Sequence, residues 1–241
     1  MTLSNIRKIY IWITLFSIAM AFLETSVVVY LRKLYYPDGF NFPLRVLDKD
    51  IAIIELLREF ATLIMLLGAG FIAGRNKTEK FGLFIYSFAV WDIFYYVFLK
   101  FILNWPESLM TWDILFLIPT TWVGPVIAPV IVSFVMIVFA LLITRATNKD
   151  IGTKIKFTEW AFLIGGSIVL IIGFVFDYVR FMLKFFSFAE IFSLSNTTKL
   201  MEKALFYIPS NFPWWIFTIG LIIIITGIVK FYLRNNKTYP K

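Results

Sequence analysis

Glu24, Glu55, Glu59 and Asp92 lie inside long apolar stretches of this chain, where the only bases are Arg58 and Lys100. A charged side chain near the middle of a membrane-spanning helix costs about 2.5–3.5 kcal/mol on insertion scales, so each needs a partner, a proton or a water-filled pocket. Glu55, Arg58 and Glu59 are spaced i, i+3, i+4, which places all three on one helical face. Asp92, Tyr95, Tyr96 and Lys100 repeat the rule and make a second polar stripe, and Asp113 follows in a connection. An excess of buried acid over base must take up protons, a cation or a cationic ligand. The candidate ligand-binding set is therefore Glu24, Glu55, Arg58, Glu59, Asp92, Tyr95, Tyr96, Lys100 and Asp113, with Arg58 and Lys100 setting protonation or gripping an anionic part of a ligand. Trp91, Tyr95, Tyr96, Trp105 and Trp112 suit the wall of a cation site and equally an interfacial belt. The blander alternative is one-to-one pairing: Glu55 or Glu59 with Arg58, Asp92 with Lys100, Asp177 with Arg180.

The absences are as informative. The chain has no Cys and no His, so disulfides, thiolate or imidazole metal sites and every Ser-His or Cys-His catalytic pair are excluded. No phosphate loop, dinucleotide fingerprint or protease motif occurs. No cofactor and no resident metal is expected; the carboxylates permit a hard divalent cation without indicating one.

The elements that must position these groups are helices in a bilayer. Of 241 residues, 60% are hydrophobic and 16% charged, against about 45–50% and about 25% in a soluble domain; mean hydropathy is +0.84. A net charge of +8 would suggest nucleic acid in a soluble protein, but the bases sit mainly in short connections between apolar runs and read as topology signals, so no nucleic-acid partner is expected. Six stretches reach the ~20 residues that span a bilayer core: Ile9–Leu31, Ile51–Ala73, Phe81–Leu103, Trp122–Thr144, Phe157–Val179 and Trp214–Leu233. The first is too long for a signal peptide and lacks a cleavage site. The expected fold is an all-α polytopic membrane helical bundle of about six transmembrane helices in one domain, 1–241.

Connections at 1–8, 74–80, 145–156 and 234–241 carry more Lys and Arg than those on the other side, which predicts both termini in the cytoplasm of a cell or inner membrane. The carboxylates then fall in the outer half of the bilayer. Asn104-Trp105-Pro106-Glu107-Ser108 reads as a helix start leading into Leu109–Ile118, an apolar run too short to cross, which predicts a re-entrant or interfacial helix between the third and fourth spans. Residues 180–194 and 198–208 suit the outer membrane surface. Pro125 and Pro129 would leave carbonyls free at the start of span four. Gly70-Phe-Ile-Ala-Gly74 and Gly165-Gly166 suit close helix approach, more for internal packing than for dimerisation. Asn76-Lys-Thr and Asn196-Thr-Thr match the glycosylation pattern, which is a weak signal.

AVWDIFYYVFLK (Ala89–Lys100), NWPESLMTWDILFLIP (Asn104–Pro119) and WVGPVIAP (Trp122–Pro129) resemble a family of uncharacterised prokaryotic multi-pass membrane proteins, as do ETSVVVYLRKLYYPDGF (Glu24–Phe40) and ELLREFATLIMLL (Glu55–Leu67). The resemblance covers roughly the first 130 residues and implies a multi-pass membrane location without assigning an activity.

Three functions fit these residues. The first is a transporter-like or ligand-binding membrane protein whose acidic pocket takes a small cationic or polar ligand from the outer face. The second is an intramembrane enzyme on a lipid-linked or polar substrate, with a carboxylate as general base or several holding Mg²⁺. The third is an anchor or assembly subunit whose polar groups pair with a membrane protein partner. The bilayer is a partner in all three.

Overall fold

The computed structural model describes residues 3–45, 48–117, 120–192 and 197–236. Its elements are α1 (Leu3–Tyr35), α2 (Lys49–Ala73), α3 (Lys77–Leu103), β1 (Trp112–Phe116), β2 (Trp122–Pro125), α4 (Ile127–Lys149), α5 (Phe157–Met182), α6 (Phe188–Ile191), α7 (Thr197–Ala204) and α8 (Trp214–Asn236). Five helices, α1, α3, α4, α5 and α8, are long and apolar enough to cross a membrane. The 25-residue α2 has the length to do so but carries Glu55, Arg58 and Glu59 in its first half.

Local chemistry sets the boundaries. Helix α1 runs 33 residues because no Gly or Pro interrupts it; at 1.5 Å per residue it measures about 50 Å and overshoots a ~30 Å core. Helix α2 stops at Gly74, whose N–H donates to the Gly70 carbonyl. Helix α3 starts at Asn76, whose Oδ1 accepts from the Glu79 N–H at 2.8 Å, and ends at Asn104 in the left-handed region at φ 53°. Asn76 Nδ2 also donates to the Ile151 carbonyl at 2.7 Å, so this asparagine of the first glycosylation pattern is committed to capping; Asn196 lies outside the described residues.

Helix α3 is the centre of the first half. Helix α1 runs parallel to it, from Tyr10 beside Tyr86 through Ser17 beside Ser87 to Phe22 beside Phe98. Helices α2 and α4 pack antiparallel on its other sides, and α5 pairs with α8. Phe139 of α4 against Phe231 of α8 joins the halves, in a core with Ile143 and Leu163. Glycines allow the closest approaches. A Cβ on Gly70 would lie 2.6 Å from the Phe84 backbone nitrogen, and one on Gly166 would lie 2.8 Å from the Gly220 carbonyl oxygen of α8, whereas Gly165 faces open space. Both small-residue motifs serve internal packing. The described ends of α1 and α8 lie at one end of the bundle, the chain-end face; the opposite end is called the hairpin face.

The connection between α3 and α4 departs from expectation. Trp112–Phe116 is a strand, paired antiparallel with Trp122–Pro125 in the register Asp113 opposite Gly124 and Ile114 opposite Val123, with an irregularity between Ile114 and Phe116. The predicted re-entrant or interfacial helix is replaced by a two-stranded β-hairpin within an otherwise helical bundle. Asn104-Trp105-Pro106, read as a helix start, ends α3 instead. The hairpin descends into the bundle: the Phe116 ring stacks on Phe88 of α3 at 6.2 Å, 15 residues or about 22 Å of helix below the end of α3. A short, continuously apolar run cannot be assigned to helix or strand by periodicity alone. Irregular or extended backbone at such depth is tolerated where protein covers it, and here β2 packs on α5 and α4.

The same hairpin moves the start of the fourth span from Trp122 to Ile127. Pro129 is the third residue of α4, where its missing N–H removes no intrahelical bond. The Val126 and Ile127 N–H groups donate to the Thr111 and Leu109 carbonyls at 3.0 and 2.8 Å.

Candidate functional site

Arg58 organises the first cluster. From α2 its guanidinium donates to Glu55 one turn earlier, at 2.6 Å from Nη2 and 3.2 Å from Nε, and to Glu24 across the interface with α1. The second oxygen of Glu24 accepts from Thr62 Oγ1 at 3.1 Å. Glu24 and Glu55 are buried and Arg58 is nearly so. Glu59, on the same face of α2, has a different partner: its Oε2 accepts the Leu117 N–H at the tip of the hairpin at 3.1 Å. Three carboxylates therefore face one guanidinium.

Asp92 of α3 points to α4, where Ser133 Oγ donates to it at 2.8 Å. It has no ion pair with Lys100. The Lys100 ammonium instead donates to the carbonyls of Asn104 and Pro106, at 3.4 and 3.0 Å, the position that a cation favours at a helix C-terminus. The expected Asp92–Lys100 pair is therefore replaced by a clasp of Lys100 on the end of its own helix. Tyr95 stands between the groups, within electrostatic reach of Glu24 and Arg58 on one side and of Arg32 and Asp113 on the other. Tyr96 is buried beside Val29, Leu99 and Val126. Among the described residues no three carboxylates converge closely enough to hold a metal ion.

Asp113 belongs to a second, buried pair that the sequence did not reveal. Arg32 Nη2 donates to its Oδ1 at 3.0 Å, and the guanidinium is held between the rings of Trp105 and Phe40, 3.7 and 4.4 Å from their centroids. One pair thus ties the end of α1, the following loop, the α3 exit and β1 together. Phe40 also lines an open cleft of about 220 Å³ with Phe42, Thr111, Trp112, Ile208 and Pro209. Burial pushes the Asp113 carboxyl up from 3.8 to about 6, with the Arg32 guanidinium opposing the rise. Between those two values the folded protein keeps this proton while the unfolded chain releases it. The contribution of Asp113 to stability is therefore greatest below the window, declines as pH rises through it, and is constant above. We expect Asp113→Asn to remove that decline, measured as thermal unfolding temperature against pH for both proteins; parallel curves would contradict it.

Asp177 does not pair with Arg180. Its carboxylate accepts from Tyr207 Oη at 2.8 Å, Ser210 Oγ at 2.9 Å and the Ser210 N–H at 3.1 Å, which pins the segment before α8 onto α5. At the chain-end face, Glu159 takes Arg234 through two nitrogens, both at 2.7 Å, and Arg75 pairs with Glu79. All three are structural clasps remote from the acidic cluster.

Sequence reasoning missed Arg32, Thr62 and Ser133, because each becomes a partner only through contacts across 38 to 81 residues. It also missed a row of hydroxyls along α1, Tyr10, Thr14 and Ser17, whose i, i+4, i+7 spacing leads toward Glu24 on one face and was visible in the sequence. No family model, curated protein or solved structure matches this chain.

Proposed function

We propose that this membrane protein crosses the bilayer six times, α2 included, with both chain ends cytoplasmic, and binds a small cationic or amine-bearing ligand at the acidic site between α1, α2, α3 and the hairpin tip. The observation that carries this reading is unbalanced charge: among the described residues Glu24, Glu55 and Glu59 face Arg58 alone, and on the α4 side of α3 Asp92 is held only by a serine hydroxyl. Two neutral donors cannot balance two carboxylate charges in a low-dielectric setting, so a proton or a cation must. Aromatic rings of Trp91, Tyr95 and Phe116 stand beside the site and favour an organic cation. The cleft at Phe40 supplies an approach from the hairpin face, and a transporter-like cycle would load there.

The test uses purified full-length protein and three probes, Na⁺, ethylammonium and tetramethylammonium, titrated by calorimetry. Binding of at least one is expected to weaken as pH falls, because protons compete for the same oxygens. Glu59→Gln with Asp92→Asn is expected to weaken it by about tenfold or more, or ~1.4 kcal/mol. Equal affinity in the double variant would defeat the proposal.

A further inference from the structure

We propose that the notch between the ends of α4 and α8 at the chain-end face binds an anionic phospholipid, its phosphate held between Arg145 and Lys149. The site lies apart from the acidic cluster and draws only on two apolar helices and their ends. Arg145 and Lys149 stand one turn apart on one face of α4, with Cβ atoms about 5–6 Å from each other. Both line the notch, opposite Tyr232, Asn235 and Asn236 of α8. Both are exposed, and neither enters an ion pair among the described residues. Two other bases of this face are taken, Arg234 by Glu159 and Arg75 by Glu79. Asp150, the nearest acid in sequence, turns its Oδ1 to the Gly152 N–H at 2.9 Å. Among the described residues, two cations one turn apart thus face an inter-helix groove with no counter-ion of their own.

The charge alone would suit any anion; the helix faces that lead to it select a lipid. The exposed side chains of Phe134, Val138 and Leu141 are spaced i, i+4, i+7 and run along one face of α4 to Arg145 at i+11. On α8 the exposed Ile222, Ile225 and Val229 run in the same way to Tyr232 and Asn236. Two apolar stripes therefore rise to either rim of the notch, and acyl chains can lie along them. At the rim Asn235 Nδ2 donates to the Phe231 carbonyl at 2.8 Å and Asn236 Nδ2 to Tyr232 Oη at 3.1 Å. A carboxamide nitrogen has two hydrogens, so each keeps one for a phosphate oxygen. The notch measures about 10 Å³, about the space of one water-sized group. A single phosphate oxygen fits it, and the rest of the headgroup stays at the surface between the two bases. Basic pockets between helix ends on the cytoplasmic side suit anionic headgroups, and that is the side proposed above for the chain ends. A headgroup with its own ammonium, as in phosphatidylcholine, brings a positive charge to two bases and is disfavoured.

The experiment uses full-length protein in detergent micelles with a phosphatidylglycerol carrying a fluorescent label on one chain, followed by anisotropy. Saturable binding is expected, displaced by unlabelled phosphatidylglycerol. Phosphatidylcholine of the same chains and glycerol 3-phosphate are each expected to compete about tenfold more weakly or worse. Arg145→Gln with Lys149→Gln is expected to weaken binding by about thirtyfold, the loss of two bases near a headgroup. Arg7→Gln with Lys8→Gln removes the same charge from exposed positions of α1 at the same face and is expected to lose far less. Asn236→Lys adds a base to the α8 rim and is expected to tighten binding, a gain that misfolding cannot imitate. Equal losses in the two double variants would show that affinity follows the charge of the whole face and would overturn the site. Unchanged affinity in Arg145→Gln with Lys149→Gln would do the same. Glycerol 3-phosphate competing as well as the lipid would make the notch a site for soluble phosphate and overturn the lipid assignment. None of these outcomes touches the acidic-site reading, which stands or falls on its own titrations.

Discussion

Replacing Arg58 by Met is expected to destabilise the folded protein by about 3–5 kcal/mol, the cost of removing one partner from a buried ionic cluster. The size follows from geometry. Arg58 is the shared counter-charge of Glu24 and Glu55, whose side chains are 9% and 8% exposed, and its loss leaves two carboxylates facing each other across the α1–α2 interface. Helix α2 has few other polar ties to the bundle: Thr62 to Glu24 and Glu59 to the hairpin tip. The midpoint of a denaturant titration in mixed micelles measures the loss. Adding Glu24→Gln and Glu55→Gln to Arg58→Met removes both orphaned charges and is expected to recover most of it, since an uncharged cluster carries little desolvation penalty. A triple variant as unstable as Arg58→Met would show that the guanidinium matters for its packing and not its charge.

Five helices long and apolar enough to cross a membrane were legible in the sequence because each announces itself locally. A run such as Phe157–Met182 needs no partner to be recognised as a membrane helix, and observed ends differ from expected ones mainly where caps such as Asn76 extend them. The Glu55–Arg58 contact was legible for the same reason, being one helical turn apart. What stayed hidden depends on tertiary placement. Leu109–Ile118 is apolar enough for either secondary structure, and only the pairing of Trp112–Phe116 with Trp122–Pro125 decides for a strand there. Lys100 shares a helical face with Asp92, yet the open carbonyls at the end of its own helix lie closer. Arg180, adjacent in sequence to Asp177, loses it to a tyrosine and a serine about thirty residues away, whose hydroxyls neutralise the need for a base without spending one.

Gly220→Leu is expected to separate α5 from α8 and to cost more than the ~1–3 kcal/mol of ordinary overpacking. A Cβ at this position would stand 2.9 Å from the Leu170 backbone nitrogen and 3.0 Å from the Gly166 carbonyl oxygen. Neither is a side-chain end that can swing away, so the helix axes themselves must move. That movement is transmitted: Gly227 lies against Phe162 and Glu159 two turns further along the same face, and Glu159 holds Arg234, so a tilt about residue 220 strains the clasp at the chain-end face as well. Gly165→Leu on the neighbouring face of α5 meets open space and is expected to fold like the parent chain, which separates loss of close approach from the general effect of placing leucine for glycine in a helix. Folded yield in detergent and thermal unfolding measure both. Equal stability of the two variants would mean that α8 is held by its aromatic contacts, Phe217 on Phe174 and Phe231 on Phe139, and that the glycine seam sets distance without setting stability.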